Sequence, residues 1–256
     1  MRDIVHLSPA LPVNMTDCWH AIASLDHFWV RRRFEVFRAL GAPWLRDMAP
    51  AADVGCGRGL LQTQLERECG IVADGFDLDE NALAHNESAS GGLFVYNIHD
   101  RLPELAAKYK SIFLFDVLEH IEDETGFLQA TLHHLQPGGL LCVNLPAYGH
   151  LFSAYDAMAG HLRRYTLGRA AALGRAVGLR LLGATYWGAP YYPLLVVRKF
   201  LLLRKKTETD IVSTGFDAKS DWLNALLGRL GRLEPLPQRL FGTSVMLLWQ
   251  KTAARA

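Results

Sequence analysis

From Ala51 onward, short apolar runs of strand length alternate with segments whose apolar positions recur at helical spacing. That alternation predicts a parallel sheet joined by crossover helices. A first strand begins at Ala51. Further strands are expected at Ile71–Asp77, Leu93–Asn97, Ser111–Phe115 and Leu140–Leu145. Helices fall between them at Leu60–Cys69, Glu80–Ser88, a short turn opened by Pro103, and Glu124–Leu135. Pro137-Gly138-Gly139 reads as a turn. Leu167–Val177 then reads as a helix, Leu179–Trp187 as a strand and Ser244–Gln250 as a last strand. Ahead of the sheet, residues 1–15 form a mixed lead-in, and Thr16-Asp17 caps a helix with Trp19 and Ile22. A second helix runs from Asp26 to Leu40, its stripe formed by Trp29, Phe34, Phe37 and Leu40. The pattern describes one domain: a helical cap over 1–50, a core over 51–187 and 242–251, and a helical insertion over 188–241.

The organising stretch is Ala51–Leu60, where glycine recurs at every second position after a strand: Asp53-Val54-Gly55-Cys56-Gly57-Arg58-Gly59. Such a loop turns tightly and lets a ligand lie against the main chain. A dinucleotide fingerprint would be Gly-x-Gly-x-x-Gly. Here Gly59 comes one residue early and Leu60 holds the fingerprint position. Asp53 would repel a pyrophosphate; it suits a ligand bearing a positive group, such as an α-amino group or a sulfonium. Asp77 lies at the end of the next strand, about twenty residues past the loop, where an acid can take both hydroxyls of a ribose. Asp79 is better placed than Asp77 to cap the following helix.

Composition narrows the partners. The chain has 256 residues, 50% of them hydrophobic, and a formal net charge of +1. No global charge favours nucleic acid, and no basic stripe interleaved with aromatics appears outside the insertion. Cys18, Cys56, Cys69 and Cys142 are far apart. They suit neither a zinc site nor a disulfide framework, and fit a reducing compartment. No signal peptide and no membrane-length apolar run is visible, so the expected location is cytoplasmic.

Asp53-Val-Gly55-Cys-Gly57-Arg-Gly59, then Asp77, then Asp116-Val-Leu-Glu119-His120, then Leu135-Gln-Pro137-Gly138-Gly139 resemble, in order and spacing, the motifs of class I S-adenosylmethionine (SAM)-dependent methyltransferases. The resemblance covers roughly Ala51 to Ala147, with Thr243–Gln250 fitting the family's final strand. It implies an α/β, Rossmann-like sheet of seven strands, mostly parallel, with the last strand antiparallel. It also implies roles. Gly55, Gly57 and Gly59 would approach the methionine portion of SAM and Asp53 would attract its amino end. Asp77, with Leu78 beside it, would hold the ribose. Asp100 with Ile98 or His99 would flank adenine, and Asp116 would shape the pocket floor. Asp100 reads equally well as a turn residue. Cys56 stands where the family tolerates small residues and reads as space-filling.

After the fifth strand comes Tyr148-Gly-His150 and then Tyr155-Asp156-Ala-Met-Ala-Gly160-His161-Leu-Arg163-Arg164-Tyr165. It resembles the Asp…Gly-His-x-Arg-Arg-Tyr segment of a bacterial methyltransferase subgroup that also carries a His-Phe-Trp helix, here His27-Phe28-Trp29. Methyl transfer to a hydroxyl or ammonium needs a base, and histidine suits neutral pH. His161 and His120 are the leading catalytic candidates, then His150, with Tyr165 beside them. Tyr148 and Tyr155 are candidates for substrate contact, or pack the loop. Arg163 and Arg164 either hold a substrate anion or pair with acids such as Asp156. Arg31-Arg32-Arg33 reads first as a solvated face and second as an anion site. No metal is expected: His133-His134 cannot share one ion and no His-Glu-x-x-His occurs.

In the insertion, apolar quartets alternate with basic pairs between Pro190 and Lys206. This suits a lid, a partner surface or peripheral membrane contact through 190–206. Thr207–Lys219 reads as a polar loop and Asp221–Leu233 as another helix. The expectation is a SAM-dependent methyltransferase acting at oxygen or nitrogen of a small or lipid-linked molecule. Its rivals are an enzyme using another carbon of SAM and a non-catalytic SAM-binding subunit.

Overall fold

The run Ala51–Val54 forms β2, buried at every position, which explains why it lacks polar alternation. The computed structural model describes residues 2–11, 24–202 and 220–252. The expected helix after Thr16-Asp17, the loop at Thr207–Lys219 and the end of the 190–206 segment lie outside the described residues.

β2 lies between β3 (Ala73–Asp77) and β5 (Tyr109–Phe115), parallel to both. β4 (Leu93–Val95) extends the sheet beyond β3, and β6 (Leu135–Pro146) extends it beyond β5, again in parallel. β8 (Ser244–Lys251) runs antiparallel to β6 and to β7 (Leu179–Trp187), which forms that edge. The seven expected strands are therefore present. An eighth corrects the count: Ile4–His6, β1, pairs in parallel with β4 at the opposite edge. The described order is β1-β4-β3-β2-β5-β6-β8-β7. β1 is three residues long with Val5 and His6 exposed, so no periodicity marks it. Backbone pairing holds the segment, with the Leu7 and Ser8 N–H groups both donating to the Val95 carbonyl. Pro137-Gly138-Gly139 does not break the chain into a separate turn. It is carried within β6, close to a register shift opposite Tyr109 and Ser111.

One layer is led by α1 (Phe28–Gly41), which buries Trp29, Phe34 and Phe37 against the sheet. Phe37 meets Phe113 and Phe115 edge-on, and Trp29 packs on Trp187. α2 (Leu60–Cys69) joins this layer through Leu61 and Leu65. α3 (Glu80–Ala84) is capped by Asp79, whose Oδ1 accepts from the N–H groups of Asn81 and Ala82, as its spacing predicts. On the opposite face, α4 (Glu124–His134) and α6 (Leu167–Ala176) pack over β5, β6 and β8. α5 (Ala154–Met158) sits in the connection after β6.

The insertion contributes α7 (Tyr192–Leu202) and α8 (Asp221–Gly231). α8 lies against α1. Asn224 Oδ1 accepts from the Phe28 N–H at 2.8 Å, and its amide donates to the Asp26 carbonyl at 2.8 Å. A residue of the insertion thus satisfies an orphan donor at the N-terminus of α1. The same contact region corrects the reading of the arginine run: only Arg31 is exposed. Arg32 is buried in a pair with Glu234 at 3.3 Å and bonds Glu35 at 3.1 Å. Glu234 also accepts from the Gly188 and Ala189 N–H groups, so it clasps the start of the insertion to α1.

Candidate active site

At the carboxyl end of β2 the chain turns through Gly55, Gly57 and Gly59, with φ values of 74°, 52° and 74°. These are left-handed conformations that side chains disfavour. The Gly57 N–H donates to Asp77 Oδ2 at 2.7 Å and the Asp79 N–H to Asp77 Oδ1 at 3.0 Å. The bend and the end of β3 are therefore one unit, and Asp77 keeps lone pairs for a further donor. Leu78 is partly buried beside it. Cys56 is buried among Leu83, Leu93 and Val95. Burial pushes its thiol well up, which suits packing and not nucleophilic chemistry.

Asp53 is buried in β2, and burial raises its carboxyl to about 7, with Arg33 pulling it down and Asp77 pushing it up. The two acids thus lie within electrostatic reach at adjacent strand ends. Burial also raises Asp77. Arg33 reaches in from α1 and pairs with Asp116 Oδ2 at 2.6 Å. Its guanidinium lies over the rings of Trp29 and Phe115, and its Nε is buried without a hydrogen-bond partner. Asp116, at the end of β5, has φ 60°. Its Oδ1 accepts from Asn144 at 2.7 Å, and Asn144 in turn accepts from Trp187 Nε1 at 2.8 Å. Backbone held this way in a sparsely populated region is a feature of sites where surroundings fix it. Asp100 is exposed beyond β4 and accepts from Ser8 Oγ; Ile98 is buried and His99 exposed.

A second cluster forms where the turn after β5 meets the segment around α5. The Leu162 N–H donates to the Glu119 carbonyl at 2.8 Å. This brings His161 beside His120, their rings 4.8 Å apart and edge-on. Asp156 Oδ1 accepts from His161 Nδ1 at 3.0 Å. That fixes the ring with Nε2 turned toward Glu119 Oε1, 4.0 Å away. Asp156 is braced by Ser153 and by Arg164, and His161 and Arg164 hold its carboxyl below the usual range despite burial. Burial and His161 lower His120 to about 4. Glu119 is 0% exposed with neither carboxylate oxygen hydrogen-bonded; burial and then Asp116 drive its carboxyl well up.

The remaining candidates are distributed differently. Arg164 is committed to Asp156 and the Ala147 carbonyl. Arg163 bonds the Ile121 carbonyl and pairs with Glu124 at 3.1 Å. Of the two readings of this pair, internal pairing is what the structure displays. Tyr165 is fully enclosed in the core. Tyr155 is buried with Leu202 beneath Arg198. Tyr148 is left-handed at φ 59° and stacked between Tyr186 and His150; His150 Nε2 bonds the Tyr192 hydroxyl at 2.6 Å. The sequence did not single out Arg33 from its run, nor show that Asp156 braces His161 or that Glu119 is fully buried. The Glu119-His120 pair after a buried strand was the available signal.

The chemistry of the donor set tests the cofactor. Buried Asp53 and partly buried Asp77 at the bend would repel a pyrophosphate. They accept from hydroxyl and ammonium groups, while Arg33 offers a cation to a carboxylate. Those are the groups SAM presents around its adenosyl sulfonium, so the residues fit it. A glycine bend of this kind on a parallel sheet with a reversed final strand is the architecture of the class I SAM-dependent methyltransferases. A family model described as a methyltransferase domain matches residues 29–182, and the chain belongs to that family.

Among curated relatives, the chain is 34% identical over 102 residues to a ubiquinone biosynthesis O-methyltransferase of Xylella fastidiosa, covering 38% of this chain and 41% of that protein. It is 32% identical over 118 residues to the protein of the same name from Brucella anthropi, covering 42% of this chain and 47% of that one. The chain thus spans less than half the length of these relatives. A SAM-dependent methyltransferase from Archaeoglobus fulgidus shares the fold at TM-score 0.56 and 16% identity, over 90% of this chain and 95% of that one. So does a phosphoethanolamine N-methyltransferase of Haemonchus contortus, at TM-score 0.53 and 17% identity, over 88% of this chain and 57% of that one.

Proposed function

We propose that this protein moves the methyl group of SAM to an oxygen or nitrogen acceptor on a small or lipid-linked molecule, with oxygen preferred. The observation that carries the reading is the pairing of buried Asp53 with Asp77 across the glycine bend. In this reading the main chain of Gly55, Gly57 and Gly59 lies along the methionine portion of the cofactor. Asp53 takes the amino group, Arg33 the carboxylate and Asp77 the ribose hydroxyls. Asp100 with Ile98 or His99 flanks adenine, and Asp116 forms the floor.

SAM supplies a methyl group on a sulfonium, and much of the rate in such a displacement comes from holding donor and acceptor in line. The cluster of Glu119, His120 and His161 is the place to hold an acceptor and take its proton, with Asp156 setting the orientation of His161. The relatives named for O-methyl transfer in ubiquinone biosynthesis support oxygen. The insertion supports an apolar acceptor: Leu194, Val197, Phe200 and Leu201 on α7 and Trp222 and Leu226 on α8 are exposed. Peripheral membrane contact through 190–206 belongs to the same reading. No helix among the described residues is long and apolar enough to cross a membrane.

The test is an incubation with methyl-labelled SAM and, separately, a lipid extract and a soluble metabolite extract. Label in an organic-soluble product, matched by S-adenosylhomocysteine, is the expected result. Release of methylthioadenosine in its place overturns methyl transfer in favour of chemistry at another carbon of the cofactor.

A further inference from the structure

We propose that Glu119, His120 and His161 form a binding site for one divalent transition cation of the zinc, cobalt or manganese type. Four features of the cluster carry this. One ligand atom from each residue lies within 4.8 Å of the others. Ligands on a tetrahedral ion at about 2.1 Å stand roughly 3.4 Å apart, so small side-chain shifts close the set.

Glu119 is the second feature. Its carboxylate is fully buried, neither oxygen finds a hydrogen-bond partner in another residue, and its charged neighbours are Asp116, Asp156, Arg164 and, at 4.0 Å, His161. The neighbouring guanidinium of Arg164 is committed to Asp156. An isolated buried carboxylate is costly unless a counter-charge or donor meets it, and a cation among these three residues supplies the charge.

The third feature is the backing of the imidazoles. Metal-bound histidine usually gives its other ring nitrogen to a carboxylate or carbonyl. His161 gives Nδ1 to Asp156, and His120 has a backbone partner in Gly160. The fourth is rigidity: Ser153 and Arg164 hold Asp156, and the Leu162 N–H ties the segment to Glu119. Two imidazoles with one carboxylate favour a transition cation over magnesium or calcium.

Three protein ligands leave a coordination position open. On the methyltransferase reading, that position would take the acceptor oxygen and make its hydroxyl more acidic, with the proton passing to water. His161 then serves as a ligand and no longer as the free base.

The experiment uses the full chain, stripped with chelator and titrated with Co²⁺ in the absence of SAM, followed by calorimetry and visible absorption. One Co²⁺ per chain with ligand-field bands is expected, together with a raised melting temperature. Glu119→Gln keeps the shape of the side chain and removes its charge; His161→Ala removes a ligand. Each is expected to weaken Co²⁺ binding at least tenfold and to abolish the shift in melting temperature, while the exposed-site control His85→Ala binds as the wild type does. Absence of saturable Co²⁺ binding overturns the proposal, and so does binding that both variants retain. A separate SAM titration of the stripped protein reads the methyltransferase assignment, so the two ideas fail independently.

Discussion

Asp53 illustrates how far a single residue follows from its neighbours. The acid before a glycine bend is legible in sequence, because strand, bend and acid are contiguous. Its burial and its elevated titration near 7 come from the fold. A folded value above the unfolded one means that Asp53's contribution to stability is complete below about pH 4 and is lost as pH rises through about 7. Ligand binding has the opposite sign, since only the ionised carboxylate attracts an ammonium. SAM affinity measured by calorimetry should therefore rise between pH 5.5 and 7.5, and Asp53→Asn should flatten that profile. Arg33 shows the limit of sequence reading. Three arginines in a row look solvated, yet Arg33 is buried because α1 carries it over Phe115 toward Asp116. Nothing local in the sequence encodes that placement. Arg33→Met should leave the chain folded and weaken SAM binding at least tenfold, with product turnover falling in parallel.

At the scale of elements, the alternation of apolar runs found seven of the eight described strands and the main helices. It missed β1, whose three residues are held by main-chain pairing and expose two side chains. It also treated the first helix and the insertion as separate. The structure joins them through Asn224 at the start of α1 and through the Arg32–Glu234 pair. Long-range caps of this kind leave no local trace in the chain. Asn224→Ala should cost about 1 kcal/mol in denaturant unfolding, the usual value of a lost cap. Glu234→Ala should cost about 3 kcal/mol, because it strands part of a buried guanidinium and two N–H groups. His120 and His161 were legible as candidates, but their contact with each other and with Glu119 was not, because they come from opposite sides of β6.

For the molecule as a whole, the sheet gathers the glycine bend, the acids and the histidine cluster at the carboxyl ends of β2, β3 and β5. The insertion adds an apolar exterior nearby. Val197→Asp with Phe200→Asp on α7 should shift stability by less than about 0.5 kcal/mol, because both side chains are exposed. The pair should lower turnover of a lipid-linked acceptor while sparing a water-soluble one, as measured by S-adenosylhomocysteine release. All of this presumes that the acid-flanked bend is a cofactor cradle. Calorimetric titration of SAM into the wild-type chain and into Asp77→Ala tests that most directly. Saturable one-to-one binding that weakens at least tenfold in the variant is the expected result; undiminished binding by Asp77→Ala, or none by the wild type, would contradict it.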